Sequence, residues 1–210
     1  MKSTAEPKPA PTRSRSLIRW TELLLFTTGA LALSYVVFTL LEARLYQVSA
    51  KRSLETEIQQ ELQKGQLEKQ PQEIQPKPLL KLGDLVGRLD IPRLGLSVAV
   101  LQGTSSRILR LGTGHIVSTP LPGEPGNSAI AGHRDTFFRG LKDVQKDDEI
   151  QFQTATALLH YQVDWMKAVA PDDTTVLAPS TESALTLVTC YPFYYVGPAP
   201  KRFVVRAHQN

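Results

Sequence analysis

The pattern of apolar and polar positions divides the chain into three regions. Residues 23–41 form a run of 19 residues without a charge, long enough to cross the hydrocarbon core of a membrane as a helix. The apolar residues of segment 42–70 recur at roughly helical spacing, which predicts a weakly amphipathic stalk helix. From about residue 80 the pattern changes to short β-type runs separated by glycine and proline.

The third region contains several predicted strands. Residues 94–100 place their larger apolar side chains at every second position, and residues 159–165 alternate apolar and polar side chains more regularly. Such closely spaced short strands predict an all-β sandwich or barrel, and about 130 residues suffice for one core. The other predicted elements are strands at 149–153, 184–189 and 203–207 and short helices at 107–111 and 137–144.

These patterns predict four segments. Residues 1–22, rich in basic residues, proline, serine and threonine, form a disordered cytoplasmic tail. Residues 23–41 form a transmembrane signal-anchor, and 42–79 form the stalk followed by a proline-rich linker. Residues 80–210 form the folded β-domain.

The apolar run also resembles a cleavable signal peptide, because Ala30-Leu31-Ala32 looks like a cleavage site. The run continues for nine residues beyond that site, however, so an uncleaved anchor is favoured. More basic residues precede the span than follow it, which predicts a single-pass topology with the β-domain outside the cytoplasm. This distribution also accounts for part of the net charge of +4, and no motif for nucleic-acid binding is present.

The chain has one cysteine, Cys190, which excludes an intrachain disulfide and a multi-cysteine metal site. No acidic cluster has the convergent oxygen ligands that a hard cation needs, so we expect neither a metal nor another cofactor.

Three residues that suit nucleophilic catalysis stand at the ends of predicted strands. Cys190 ends an apolar strand directly before a Tyr-Pro turn, and His133 follows the small-residue run 128–132. Arg202 begins the last predicted strand, where it would lie beside Cys190 if the two strands were neighbours. A thiol, an imidazole and a permanent positive charge form a plausible catalytic constellation. The alternative is that Cys190 is a small buried hydrophobic residue and His133 is structural.

Three segments carry a resemblance to a known family. Thr186-Leu187-Val188-Thr189-Cys190 resembles the Thr-Leu-X-Thr-Cys signature of the sortases, the surface-protein transpeptidases of bacteria. Segment 131–135, Ala-Gly-His-Arg-Asp, is similar to their histidine motif, and segment 201–205 resembles the segment that carries their arginine. The stretches 114–116, 122–127 and 191–193 look most like class D sortases.

The resemblance implies a closed eight-stranded β-barrel that recognises a Leu-Pro-X-Thr-type sorting signal. It implies that Cys190 is the nucleophile, that His133 donates and accepts protons, and that Arg202 stabilises the substrate or the oxyanion. The implied partners are surface proteins with a C-terminal sorting signal and an amine acceptor, either a cell-wall peptide or a pilin lysine. The implied location is the bacterial cell membrane. Thr189 and His115 are further candidates for substrate binding.

Three alternatives remain open. The same residues would serve a cysteine peptidase that passes the acyl group to water. A membrane-tethered binding domain without catalysis would instead bury an inert Cys190. A transpeptidase acting on peptidoglycan stems also uses cysteine and histidine, but those residues usually stand closer in sequence than His133 and Cys190.

Overall fold

A computed structural model describes residues 13–67 and 80–210. Chain contacts divide the molecule into two compact units, one ending at Glu42 and one beginning at Ala43, and helix α1 (Arg13–Leu67) contributes to both. In the first unit the apolar side chains are exposed, and the helix is long and apolar enough to cross a membrane. Residues 1–12 of the predicted tail and the proline-rich linker lie outside the described residues. Residues 13–22, which were also predicted to be disordered, belong instead to helix α1.

The second unit contains eight strands: β1 (Leu85–Ile91), β2 (Leu96–Gln102), β3 (Thr113–His115), β4 (Asn127–Ala131), β5 (Glu149–Gln153), β6 (Leu158–Val169), β7 (Ala184–Tyr191) and β8 (Lys201–Gln209). They form a closed barrel in the order β1-β2-β3-β4-β7-β8-β6-β5, which confirms the fold that the resemblance implied. Neighbouring strands are antiparallel except for the pairs β2/β3 and β4/β7, which are parallel. A short helix α2 (Ser106–Leu111) precedes β3, and 3-10 helices span Pro92–Leu94, Arg139–Asp143 and Thr174–Leu177.

The inner face of the barrel is packed with aliphatic and aromatic side chains. On β7, Leu185 and Leu187 are fully buried in this core, and on β8 Val205 and Ala207 join them. Burying a side chain such as leucine contributes about 1.5–3 kcal/mol. Because successive side chains of a strand point to opposite faces, the residues between them belong to the outer face.

Strand β1 was missing from the predicted elements, because Gly87 interrupts its apolar pattern. A side chain at Gly87 would place its Cβ 2.4 Å from the carbonyl oxygen of Gln153 and 2.6 Å from the ring of Phe152. The position therefore requires glycine for packing, although glycine is a poor strand former. The strand predicted from Leu94 begins instead at Leu96, because Gly95 forms a left-handed turn with φ of 59°.

Part of the stalk belongs to the barrel unit. Leu54 and Ala50 of α1 are buried, and the Gln47 side-chain oxygen accepts a hydrogen bond of 2.8 Å from the Ala99 N–H of β2. The Gln47 amide nitrogen donates to the carbonyl of Leu111. These residues of the stalk helix therefore pack on the barrel, whereas the sequence indicated only a spacer.

An ion pair ties the β1–β2 turn to the start of β5. Arg93 donates from Nε and Nη2 to the carboxylate of Asp148, and its Nη2 also donates to the carbonyl of Asp143. The Asp148 side chain is only 5% exposed and also accepts from the Gln145 N–H at 2.7 Å. The hydrogen bonds from Arg93 hold the pKa of Asp148 below its ordinary value.

We expect Asp148→Asn to lower the free energy of unfolding by about 1–3 kcal/mol at pH 7. Since the pKa of Asp148 is lowered by folding, its stabilisation is present above the unfolded pKa of about 3.9 and is lost as pH falls through the folded value. Urea unfolding of both proteins at pH 7 and below pH 3 should therefore show a difference that shrinks in acid. Asp143→Asn, at an exposed surface pair with Lys142, is the control and should cost less than about 1 kcal/mol. A difference independent of pH would contradict the role given to the carboxylate.

Candidate active site

Cys190 and Arg202 lie directly opposite each other on neighbouring antiparallel strands. The register of β7 and β8 pairs Cys190 with Arg202, and pairs Val188 with Val204 before them. Cα atoms of directly paired residues lie about 4.5–5.5 Å apart, and their side chains share one face of the sheet. Cys190 is a free, half-buried thiol. The fold thus makes β7 and β8 neighbours, which is the condition under which the sequence placed Arg202 beside Cys190.

His133 lies at the same end of the barrel, just after β4, the strand that flanks β7 on the side opposite β8. This end of the barrel is called its edge. The parallel register of β4 and β7 pairs Ala131 with Val188, and the Gly132 N–H donates to the carbonyl of Val188 at 3.1 Å. Continuing both chains by two residues from that pair places His133 level with Cys190. Strands β4, β7 and β8 therefore bring the predicted histidine, cysteine and arginine to one edge.

Close packing fixes the backbone before His133. A Cβ on Gly132 would lie 2.7 Å from the ring of Phe138 and 2.9 Å from Thr113. Phe138 is fully buried, and its N–H donates back to the carbonyl of His133 at 3.0 Å. The core therefore holds the turn that carries the imidazole, and only glycine fits beside it.

Thr189 holds this edge together from inside. Its hydroxyl donates to the carbonyl of Gly132 at 2.7 Å, and the residue is 2% exposed. The sequence suggested Thr189 as a substrate contact, but the structure directs its side chain to the joint between β4 and β7, away from solvent.

His115 is buried in a hydrogen-bonded network on β3. Its Nε2 donates to the carbonyl of Pro120 at 2.9 Å, and its Nδ1 lies 2.8 Å from the side-chain amide oxygen of Gln102. Burial lowers the pKa of His115, although the hydrogen bond to the Pro120 carbonyl acts in the opposite direction. The structure does not bring His115 to the edge with Cys190, so it offers no support for the predicted contact with substrate.

Aromatic rings close the barrel beneath the cysteine. Phe193 and Phe203 lie 5.3 Å apart between ring centres, and each lies 6.0 Å from the ring of Tyr191. Aromatic contacts at these separations contribute about 0.5–1.5 kcal/mol each beyond their burial. They stiffen the backbone on both sides of the Cys190–Arg202 pair.

The outer face beside this pair is apolar. Val169, Val176 and Val204 form a second buried cluster, separate from the barrel core, with Leu177 packed against it. Val204 is two residues from Arg202 on the same face, so the cluster adjoins the pair directly. This cluster was absent from the features predicted from the sequence. Its one signal was the consecutive apolar residues 203–205, which break the alternation expected for a strand with one solvated face.

A polar network anchors the β6–β7 connection over this outer face. The Asn127 amide nitrogen donates to the carbonyls of Val176 and Ala178 at 3.0 and 3.2 Å. Its oxygen accepts from the Thr186 hydroxyl at 2.6 Å, and that hydroxyl accepts from Arg206 at 3.0 Å. Burial lowers the pKa of Arg206. The connection that carries Val176 is therefore fixed to β4 and β7.

The edge offers the groups needed for acyl transfer. Arg202 donates from Nη1 to the carbonyls of Ala199 and Lys201 at 3.3 and 3.1 Å. Both bonds use one nitrogen, so Nε and Nη2 have no hydrogen-bond partner among the described residues and could donate to a reacting carbonyl. Among the described residues, no group of three or more histidine, cysteine, aspartate or glutamate side chains is placed to hold a metal.

Comparison with known proteins agrees with this geometry. A sortase-domain family model matches residues 89–210. Sortase D of Bacillus subtilis is 36% identical over 124 residues, which is 59% of this chain and 63% of that protein. Sortase A of Bacillus anthracis is 28% identical over 125 residues, covering 58% of each chain. The match thus spans less than two thirds of the length of these curated relatives.

Solved structures give the same result. The Clostridium perfringens Sortase D5 transpeptidase superposes with a TM-score of 0.62 at 26% identity, covering 80% of this chain and 98% of that one. Sortase A from Corynebacterium diphtheriae superposes with a TM-score of 0.56 at 31% identity, covering 64% and 63%. The eight-stranded barrel, the three residues at its edge and the family match over more than half of the sequence lead to one conclusion: the chain belongs to the sortase family.

Proposed function

We propose that this chain is a membrane-anchored cysteine transpeptidase with Cys190 as nucleophile, His133 as proton donor and acceptor, and Arg202 as oxyanion or substrate ligand. The observation that carries the proposal is the register of three neighbouring strands, which brings these residues to one barrel edge. The named relatives support it, since one of them is described as a transpeptidase.

The first half-reaction forms a thioester. Cys190 gives its thiol proton to His133, and the resulting thiolate attacks the carbonyl carbon of a peptide bond while Arg202 donates hydrogen bonds to the oxyanion that develops. As the C–N bond breaks, His133 gives a proton to the departing amine. The acyl fragment is left on Cys190, and the C-terminal piece leaves.

The second half-reaction transfers the acyl group. An amine attacks the thioester carbonyl, His133 takes a proton from the attacking nitrogen, and the C–S bond breaks to regenerate the cysteine. The products are a new amide and free enzyme, so the reaction requires no oxidant and no cofactor. A cell-wall peptide or a pilin lysine would supply the amine.

The substrate we propose is a Leu-Pro-X-Thr-type signal at the C-terminus of surface proteins. The partly exposed Leu177, packed on the buried cluster of Val169, Val176 and Val204 beside the Cys190–Arg202 pair, is suited to contact an aliphatic side chain upstream of the reacting carbonyl. The exposed apolar part of α1 would anchor the enzyme in the bacterial membrane with the barrel on the extracytoplasmic side.

The test is to mix the full chain, in detergent, with a Leu-Pro-X-Thr-Ala peptide and to measure the intact-protein mass. We expect a mass gain equal to the acyl fragment that disappears on adding hydroxylamine, which cleaves thioesters. Since the chain has one cysteine, protein alkylated beforehand with iodoacetamide is a site-specific control. No adduct and no cleavage with varied signal peptides would refute the proposal. Cleavage that yields only the hydrolysed acid in the presence of amines would identify a peptidase instead.

A further inference from the structure

Arg134, the residue after His133, is bound to the connection between β7 and β8. Its Nη1 donates to the carbonyl of Pro192 at 3.1 Å, and its Nη2 donates to the carbonyls of Tyr195 and Gly197 at 2.7 and 3.2 Å. Its guanidinium carbon lies 6.0 Å from the centre of the Tyr195 ring. These bonds therefore reach a segment 58 to 63 residues further along the chain.

This connection has few bonds of its own. Between Pro192 and Pro200 it forms one backbone hydrogen bond among the described residues, from the Tyr195 N–H to the carbonyl of Pro192 at 3.4 Å. Gly197 adopts a φ of 102°, and Val196 beside it is 96% exposed. The shape of the connection therefore depends on side chains that bind its carbonyls.

The second such side chain is Arg202 itself, which donates to the carbonyl of Ala199 at 3.3 Å. The connection is thus held at one end by the residue next to His133 and at the other by the arginine opposite Cys190. If Arg134 releases its three carbonyls, the segment that carries Ala199 loses its fixed position. Arg202 then loses a partner that orients its guanidinium.

We propose that Arg134 is a positioning residue, which holds the β7–β8 connection so that Arg202 and His133 keep their places around Cys190. This role rests on the proposed function. A guanidinium suits it because its planar fork directs several N–H donors at once, whereas a lysine ammonium is a compact point charge. Small displacements of catalytic groups lower the reaction rate without unfolding the protein, since a misplacement of about 1 Å lowers a rate about a hundredfold.

The experiment compares Arg134→Ala and Arg134→Lys with Arg139→Ala, which removes an exposed arginine five residues further on. In the full chain in detergent, we expect Arg134→Ala to lower kcat for peptide cleavage by about 10- to 100-fold. KM should change by less than about threefold, because the substrate-binding face is untouched. Arg134→Lys should stay close to Arg134→Ala, and Arg139→Ala should match the wild-type chain.

Two further measurements distinguish a positioning role of Arg134 from a general loss of folded structure in the variant. The rate of alkylation of Cys190 by iodoacetamide should stay within about twofold of wild type, since the thiol and its surroundings persist. Chymotrypsin should cleave Arg134→Ala faster than wild type after Tyr194 and Tyr195, which are 73% and 46% exposed in the connection.

Several results would overturn the inference. Wild-type kcat in Arg134→Ala, or full activity in Arg134→Lys, would show that the three-carbonyl contact is not needed. A fall in kcat accompanied by an equal fall in alkylation rate and by early unfolding would reveal a structural role only. A wild-type chain that forms no thioester would refute the proposed function and this role with it, whereas an active wild type with an unchanged Arg134→Ala refutes this role alone.

Discussion

Cys190→Ala should abolish both the covalent adduct and peptide cleavage, a loss of about a millionfold or to the limit of detection. Removal of the nucleophile leaves no atom to form the thioester, and the remaining groups act together only with it. The Cys190 thiol is half-buried and has no hydrogen-bond partner among the described residues, so the free energy of unfolding should change by less than about 1 kcal/mol. Intact-protein mass with the peptide, together with urea unfolding, measures both.

Cys190→Ser provides the matched control for size and polarity. It should also be inactive, because a hydroxyl gives up its proton far less readily than a thiol and is therefore a much weaker nucleophile. Persistent cleavage in Cys190→Ala would show that another residue attacks the peptide bond, and would overturn the assignment of the nucleophile.

His133→Ala should lower the rate of thioester formation by about a thousandfold, because general acid–base catalysis contributes about 10²–10⁴ in rate. The departing amine would then have to take its proton from water. Single-turnover measurement of the adduct against time gives the rate. Added imidazole should restore part of it, because the truncated side chain leaves room for the free base at the edge of the barrel.

His160→Ala is the matched control for removing an imidazole. His160 is exposed and bonds Glu149 at 2.8 Å, and it lies at the end of β6 that pairs with Gln209, the opposite end of β8 from Arg202. The His160→Ala variant should form the thioester at the same rate as the wild-type chain. A His133→Ala variant with wild-type rates would remove His133 from the mechanism, even if Cys190 still formed the adduct.

Strand assignments succeeded where one face of a strand is solvated. Strand β5 was predicted with its exact bounds, and the alternation in β6 correctly separated the buried Tyr161 and Val163 from His160. The prediction stopped short of the end of β6, because the register of β6 against β8 shifts between Val163 and Trp165. Such a shift changes which side chains face the core, and it is set by pairing with another strand.

Short or tightly packed elements escaped prediction. Strand β3 has three residues, too few for any periodicity, and its His115 is buried between β2, β4 and the loop that carries Pro120. The interpretation of His115 and Thr189 as substrate contacts used their place in the sequence. In the folded chain both side chains are buried, His115 against Gln102 and Thr189 against Gly132, and these partners lie far from them in the sequence or on another strand.

The sequence by itself determined the β-rich domain, the apolar helix before it and the identity of the three residues proposed for catalysis. Local patterns suffice for these, because alternation, unbroken apolar runs and short motifs are properties of neighbouring residues. Only the tertiary structure decided that Cys190 faces Arg202, that Arg134 holds the β7–β8 connection and that a valine cluster adjoins the pair. Those facts follow from strand order and register around a closed barrel, which join residues far apart in the chain.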